Sequence, residues 1–374
     1  MTASPIAGKP WHSRSSPLAR GACAVYALLL LYSGLSPWRG WRDLGVAPLA
    51  YLTAPVPRHL TTFDLIVNIL GYVPLGALVV LALHPRTRGA IAVLIAVVAG
   101  ALLSGTIEAL QTYLPSRVPS NIDLATNTLG ALAGGVLAAP FASSLIDRGR
   151  LADLRLRWFE RRPSVLLLLV SLWPLAQISP EPMLFGSGDL RETLGEAVSA
   201  LGGTWPSLDP AGFGPAEFVL AEAFVVSAAL LAVGLAFASA MRSVAPRAAL
   251  LVALLLAALA VKALAHGTLF GPDRAVAWLT PGAYGGLAIG MLALLAASAG
   301  PVHWRPRFAL VALAAALVAV NVVPVNPYFL VNMQEWRQGV FLNFNELASW
   351  LSTLWPYALG LVLLTHAAAA RAAR

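Results

Sequence analysis

Long apolar runs broken by short polar stretches set the plan of this 374-residue chain. Ten runs stand out, at about 21–37, 63–83, 90–114, 123–146, 164–184, 217–240, 247–266, 276–299, 308–324 and 347–370. The apolar residues in them are continuous rather than alternating. That pattern fits helices buried in lipid, each needing about 20 residues to cross. The reading is an all-α polytopic transmembrane helix bundle of about ten helices. The fifth run is interrupted or ended by Pro174, Pro180 and Pro182, since proline removes a helix hydrogen bond. The first run follows a charged start, as in a signal peptide. No small-residue cleavage site is clear, so an uncleaved helix is expected.

Within the first four runs, one pattern occurs twice. Asp64-Leu65-x-x-Asn68-x-Leu70-Gly71, followed by Gly76 and Leu78, returns as Asp123-Leu124-x-x-Asn127-x-Leu129-Gly130, followed by Gly135 and Leu137. Every match lies 59 residues from its counterpart, 123 minus 64. Asp and Asn four residues apart share a helix face, and the glycine at i+7 continues it. Gly130-x-x-x-Gly134 adds a small-residue pattern that lets helices approach closely. Between the copies, Ser104, Glu108 and Gln111 share a face at the end of the third run. A short loop follows, in which Pro115 and Pro119 hold Arg117.

Composition then fixes the class. Hydrophobic residues make up 58% and charged residues 11%, against about 25% charged in soluble domains. Cys23 is the only cysteine, so no internal disulfide or cysteine metal cage is available. The six histidines are scattered, and no metal or other cofactor is expected. The formal charge of +8 would suggest nucleic acid in a soluble protein. Here, loop charges that orient helices explain it better, and nucleic acid is not an expected partner. With ten crossings, seventeen lysines and arginines fall on the side holding the termini and seven on the other, Lys262 being inside a helix. The positive-inside rule places both termini in the cytoplasm. Only Asp147, Asp153 and Glu160 fall on that side, which leaves the outer face acidic. Four parts follow: a tail, 1–20; a four-helix unit, 21–146; a basic cytoplasmic linker, 147–163; and a six-helix unit of unassigned role, 164–374.

In this topology the second and fourth helices are parallel, and their Asp and Asn residues share a depth near the outer surface. Asp64, Asn68, Glu108, Gln111, Arg117, Asp123 and Asn127 form the expected binding cluster. Three carboxylates there face one arginine, an arrangement that can make an acid/base pair or a cation site. A purely structural reading stands beside it. Asp64 and Asp123 sit where helix caps sit, Asn and Gln bond between membrane helices, and Arg117 could simply close the rim. Glu108 escapes the capping explanation, and Glu108 and Asp123 are the candidates for any proton chemistry. In the second unit, Glu222 and Lys262 are expected at similar depth, as a secondary ion pair, near Glu217 and His266. A lysine snorkelling to the interface is the competing reading. Asn321 and Asn326 also come near the outer surface, while Trp336, Phe341 and Trp350 read as interface aromatics.

These residues resemble a known family. Asn68-x-x-Gly71-x-x-Pro74-x-Gly76, Glu108-x-x-Gln111, Pro115-x-Arg117 and Asp123-x-x-x-Asn127-x-x-Gly130, with Tyr32 to Arg42 before them, are similar to the VanZ-like family over roughly residues 20–145. The resemblance implies a multi-pass protein of the bacterial inner membrane, concerned with the cell envelope. The family's name comes from a protein encoded with glycopeptide-resistance genes, so a link to glycopeptide tolerance is also implied. It supplies no reaction and does not reach residues 164–374.

Three functions are consistent with the residues. The first is a periplasm-facing site that binds or acts on an envelope component. Membrane lipids would be its surroundings and a lipid-linked precursor its ligand, with Arg117 on a phosphate. The second is a membrane enzyme on a lipid-linked headgroup, with Glu108 as base. No serine, cysteine or histidine nucleophile signature supports it, and His59 is the one outer histidine near the cluster, so the balance is against an enzyme. The third is a proton- or cation-coupled transporter. For that the polar residues lie too near one surface.

Overall fold

A computed structural model describes residues 16–35, 38, 40–55, 62–146, 154, 157–159, 165–205, 208, 212–327, 329 and 342–372. Most of the basic segment, with His59, Tyr328, Trp336 and Phe341, lies outside the described residues. So does the side chain of Asp64. The described chain is helical, with a single β-bridge between Phe159 and Met241. It divides into two compact units, Met1–Arg155 and Leu156–Arg374.

Among the described residues, eight helices are long and apolar enough to cross a membrane. Two more of the apolar runs form shorter helices, Ala19–Gly34 and Val165–Ala176. The expected ten is therefore eight full-length helices plus two short ones. The fifth run does not reach residue 184 as helix. It stops at Ala176, and the chain then folds back, burying Gln177, Ser179, Met183, Leu184 and Phe185. Pro180 and Pro182 forbid continuation of the helical ladder there.

In the first unit, α1 is Pro17–Gly34, α2 Thr62–Leu83, α3 Gly89–Gln111 and α4 Asn121–Ala138, followed by a short α5, Ala142–Ile146. Ser16 caps α1 through the Ala19 amide, with Pro17 in its first turn. The most extensive pairing is α2 with α4, and glycine makes it possible. A Cβ on Gly76 would meet the carbonyl of Ala131; one on Gly130 would meet that of Ile69; one on Gly134 would meet that of Val73. The contacts Ile69–Gly130 and Val73–Gly134 advance together, so α2 and α4 are parallel and their repeated motifs lie side by side.

The second unit holds α6 Val165–Ala176, α7 Arg191–Ala200, α8 Pro215–Ser239, α9 Arg247–Phe270, α10 Pro281–Ala299, α11 Arg305–Val322 and α12 Leu342–Ala372. Its central helix is α8, which packs against α10 and α11. Half of its length is buried, including Val225, Val226, Leu230, Val233 and Leu235. Such all-round apolarity is what a helix enclosed by others requires. The turn Gly188–Leu190 is pinned by Asn321, whose Oδ1 accepts from the Leu190 amide at 2.8 Å and whose Nδ2 donates to the Gly188 carbonyl at 2.9 Å.

Candidate functional site

The first unit's site is built on the junction between α3 and α4. The chain leaves α3 in tight turns, with Leu114 N–H donating to Gln111 O and Arg117 N–H to Leu114 O, both at 2.9 Å. Leu114 anchors this loop by complete burial. α4 then starts at Ser120, whose hydroxyl accepts from the amides of Ile122 and Asp123. Asp123 is therefore in the first turn and is not the cap, a correction to the sequence reading. Ser120-x-x-Asp123 is the spacing of a capping box, and that signal was present.

Glu108 reaches across from α3 and accepts the Ser120 amide at 2.8 Å. It is 3% exposed. The carboxylate thus meets a backbone donor at a helix N-terminus, where negative charge is favoured. Asp123 and Arg117 both act on its charge. Each is half-buried.

One layer deeper, Asn127 Nδ2 donates to Ser104 Oγ at 3.0 Å. Its Oδ1 is buried without a hydrogen-bond partner. Tyr72, from α2, lies within hydrogen-bonding reach of Ser104 and within the field of Glu108 and Asp123. From the segment before α2, Tyr51 donates its hydroxyl to the Gly105 carbonyl at 3.2 Å. Burial, and then the charge of Glu108, push the Tyr51 phenol above its ordinary range. Asn121 Nδ2 donates to the Ala54 carbonyl at 2.9 Å, while its Oδ1 is buried without a partner.

The expected residues therefore divide. Glu108, Arg117, Asp123 and Asn127 come together. Gln111 instead donates to the Gly34 carbonyl at 2.8 Å and joins α3 to the end of α1. Asn68 lies beside the cluster by register and makes no side-chain hydrogen bond among the described residues. The backbone of Asp64 is at the start of α2. Ser120, Tyr51, Tyr72 and Asn121 complete the site. Apart from the capping spacing of Ser120, nothing local in the sequence marked them.

In the second unit, Glu222 and Lys262 take other partners. Lys262 is 1% exposed and donates to the Ser179 carbonyl at 2.8 Å. The carboxylate acting on it is Glu181. Burial pushes the Glu181 carboxyl above the ordinary glutamate range, against the pull of Lys262 and of the Ser352 and Ser179 hydroxyls. Glu222 accepts from Thr280 Oγ1 at 2.5 Å and from the Leu184 amide. Glu217 only caps α8, accepting the Gly214 amide at 2.9 Å. Among the described residues, no three His, Cys, Asp or Glu gather as a metal site.

The first unit was also compared with known families. Residues 22–143 match the VanZ/LLP1 family model. The VanZ-like segment thus contains most of α1, all of α2 to α4 and every residue of the first site. With the long apolar helices on either side of residue 155, it makes this chain a multi-pass membrane protein. No curated protein and no solved structure matches the chain.

Proposed function

We propose that the VanZ-like unit binds the phosphorylated headgroup of a lipid-linked envelope precursor at the outer surface of the bacterial inner membrane. Both termini then lie in the cytoplasm, as the loop charges require. One observation carries the reading: a half-buried arginine, Arg117, is fixed on a short loop beside a buried glutamate that is itself tied to a helix start. Arginine presents a planar fork that suits phosphate. Glu108 and Asp123 set the charge balance that a ligand must meet.

Binding is better supported than catalysis. A general base must come within about 2.6–3.2 Å of the proton it takes. Glu108 is enclosed, and one of its oxygens already holds the Ser120 amide. A transporter would need polar groups continuing to the opposite face, and below Asn127 the face of α4 toward α2 is glycine and alanine: Gly130, Ala131, Gly134 and Ala138. Glycopeptide tolerance would follow from holding such a precursor and belongs to the same proposal.

The test uses the purified full chain in non-ionic detergent, with a polyprenyl phosphate and the matching polyprenol. The phosphate form should bind at least about tenfold more tightly, the worth of a charge-assisted hydrogen bond. Arg117→Ala should erase that difference. Equal binding of phosphate and alcohol by the folded wild-type protein would sink the proposal.

A further inference from the structure

The second unit contains a cavity that the VanZ-like segment does not reach. Its volume is ≈ 60 Å³, and its wall includes Glu181, Glu222, His266, Phe270, Trp278 and Thr280. One water needs about 10–15 Å³, so a group of a few heavy atoms fits. Glu222, Thr280, Ala277 and Asn326 also line a larger open groove of ≈ 610 Å³. The rest of that groove is mainly apolar, with Phe213, Phe218, Val219 and Leu279. A small chamber, apolar apart from a few polar groups, thus shares four wall residues with an open apolar groove.

The charges of the chamber are unequal. Lys262 acts on Glu181. Glu222, the second carboxylate, meets among the described residues the neutral donors Thr280 and Leu184. Arg274 also lines the cavity and is already engaged. The wall therefore carries one carboxylate with no cationic partner among the described residues, set among aromatic rings, an environment that attracts a cation.

His266 adds a second, independent observation. Its ring lies against the backbone of Arg274. That contact favours the protonated ring, so its backbone partner is an acceptor, the Arg274 carbonyl, which also takes the Ala277 amide at 3.0 Å. The ring donates there, which leaves Nδ1 as a lone-pair acceptor. Nδ1 is buried and has no hydrogen-bond partner among the described residues. An acceptor of this kind calls for an N–H or O–H donor, which a quaternary ammonium lacks.

We propose that this chamber and groove hold a lipid-like amphiphile with a primary ammonium head, the chemistry of an aminoethyl phospholipid. The ammonium donates to Glu222 and to His266 Nδ1, and the chain occupies the groove beside Phe213 and Phe218. This site is separate from the phosphate site proposed for the first unit and stands whether or not that reading holds.

The test is binding to the purified full chain in non-ionic detergent, read by tryptophan fluorescence with Trp278→Phe as reference. The probes are dodecylamine, dodecyltrimethylammonium, dodecanol, free ethanolamine and an ethanolamine phospholipid. Dodecylamine and the phospholipid should bind. Dodecanol, lacking the charge, and free ethanolamine, lacking the chain, should each bind at least about tenfold more weakly. His266→Phe should lower affinity for dodecylamine and leave dodecyltrimethylammonium unchanged. Glu222→Gln, which keeps an acceptor for Thr280, should weaken dodecylamine about tenfold or more, and Glu217→Gln should not. Dodecanol matching dodecylamine would overturn the proposal, and this comparison uses only the wild-type protein. Free ethanolamine matching dodecylamine would overturn the amphiphile and assign the chamber to a soluble amine.

Discussion

The two copies of the Asp-x-x-x-Asn-x-x-Gly pattern share letters and depth but not roles. In the second copy, Asn127 is buried and donates to Ser104, and Gly130 lets α4 rest on the Ile69 carbonyl of α2. In the first, Asn68 has no side-chain hydrogen bond among the described residues. A Cβ added to Gly71 would meet nothing within 4 Å. The Gly71 carbonyl instead accepts the Tyr26 hydroxyl of α1 at 2.8 Å. One copy faces its twin and α3, while the other is turned partly toward α1. A repeat in sequence thus sets helix direction and depth, and the neighbours decide which positions become close contacts.

The largest test of this asymmetry is glycine. Gly130→Ala should destabilise the protein by about 1–3 kcal/mol, since the new methyl meets backbone that cannot rotate away. Gly71→Ala should be neutral or stabilise by up to about 1 kcal/mol, from helix propensity alone. Thermal unfolding of the two variants in one detergent reads the contrast, and equal shifts would erase the distinction between the copies.

Next in size is the anchor of the second copy. Glu108→Ala leaves the buried Ser120 amide unmet and should cost about 1–3 kcal/mol. Glu108→Gln keeps an acceptor and should cost less. If both variants unfold at the wild-type temperature, Glu108 does not hold the start of α4. The asparagines come third. Asn127→Ala should lose roughly 0.6 kcal/mol, up to about 1.7, the range for membrane interhelical hydrogen bonds, and Asn68→Ala almost nothing. A double-mutant cycle with Ser104→Ala should return the whole effect of Asn127 as coupling.

The smallest effect is in pH. The raised Tyr51 phenol is neutral in the fold beyond the point where an unfolded tyrosine ionises. Its contribution is complete below the ordinary tyrosine value near 10 and is lost as pH climbs toward the raised value, because the unfolded chain then binds fewer protons. Alkaline melting curves above about pH 10 should therefore be shallower for Tyr51→Phe than for wild type.

Much of this was legible in the sequence. Apolar runs located the helices, and the common offset put the start of α4 beside α2. The glutamate of α3, on a face with Ser104, was expected to converge with that region if the helices pack; its contact with the Ser120 amide came only from the structure. What escaped depended on segments with no period of their own. Glu181 sits between two prolines and reads as a loop residue. The chain after α6 turns inward and brings it to Lys262, and so the pairing of Lys262 with Glu222 failed. Tyr51 lies in a short turn before α2, and only tertiary packing brings it to Gly105. Gln111 shares a face with Glu108, yet the end of α1 takes it, because Gly34 offers a carbonyl where α1 stops.

The glycine seam between α2 and α4 has a mechanical consequence. Where backbone rests on backbone, there are no rotamers to exchange and no slack to absorb a shear. These two helices must move as one plank. Any conformational cycle in this unit has to be carried by α1 and α3, whose grip on the plank runs through side chains such as Tyr26, Ser104 and Glu108. Labels for detecting motion belong on α1 and on the loop bearing Arg117, with the fixed reference on α4.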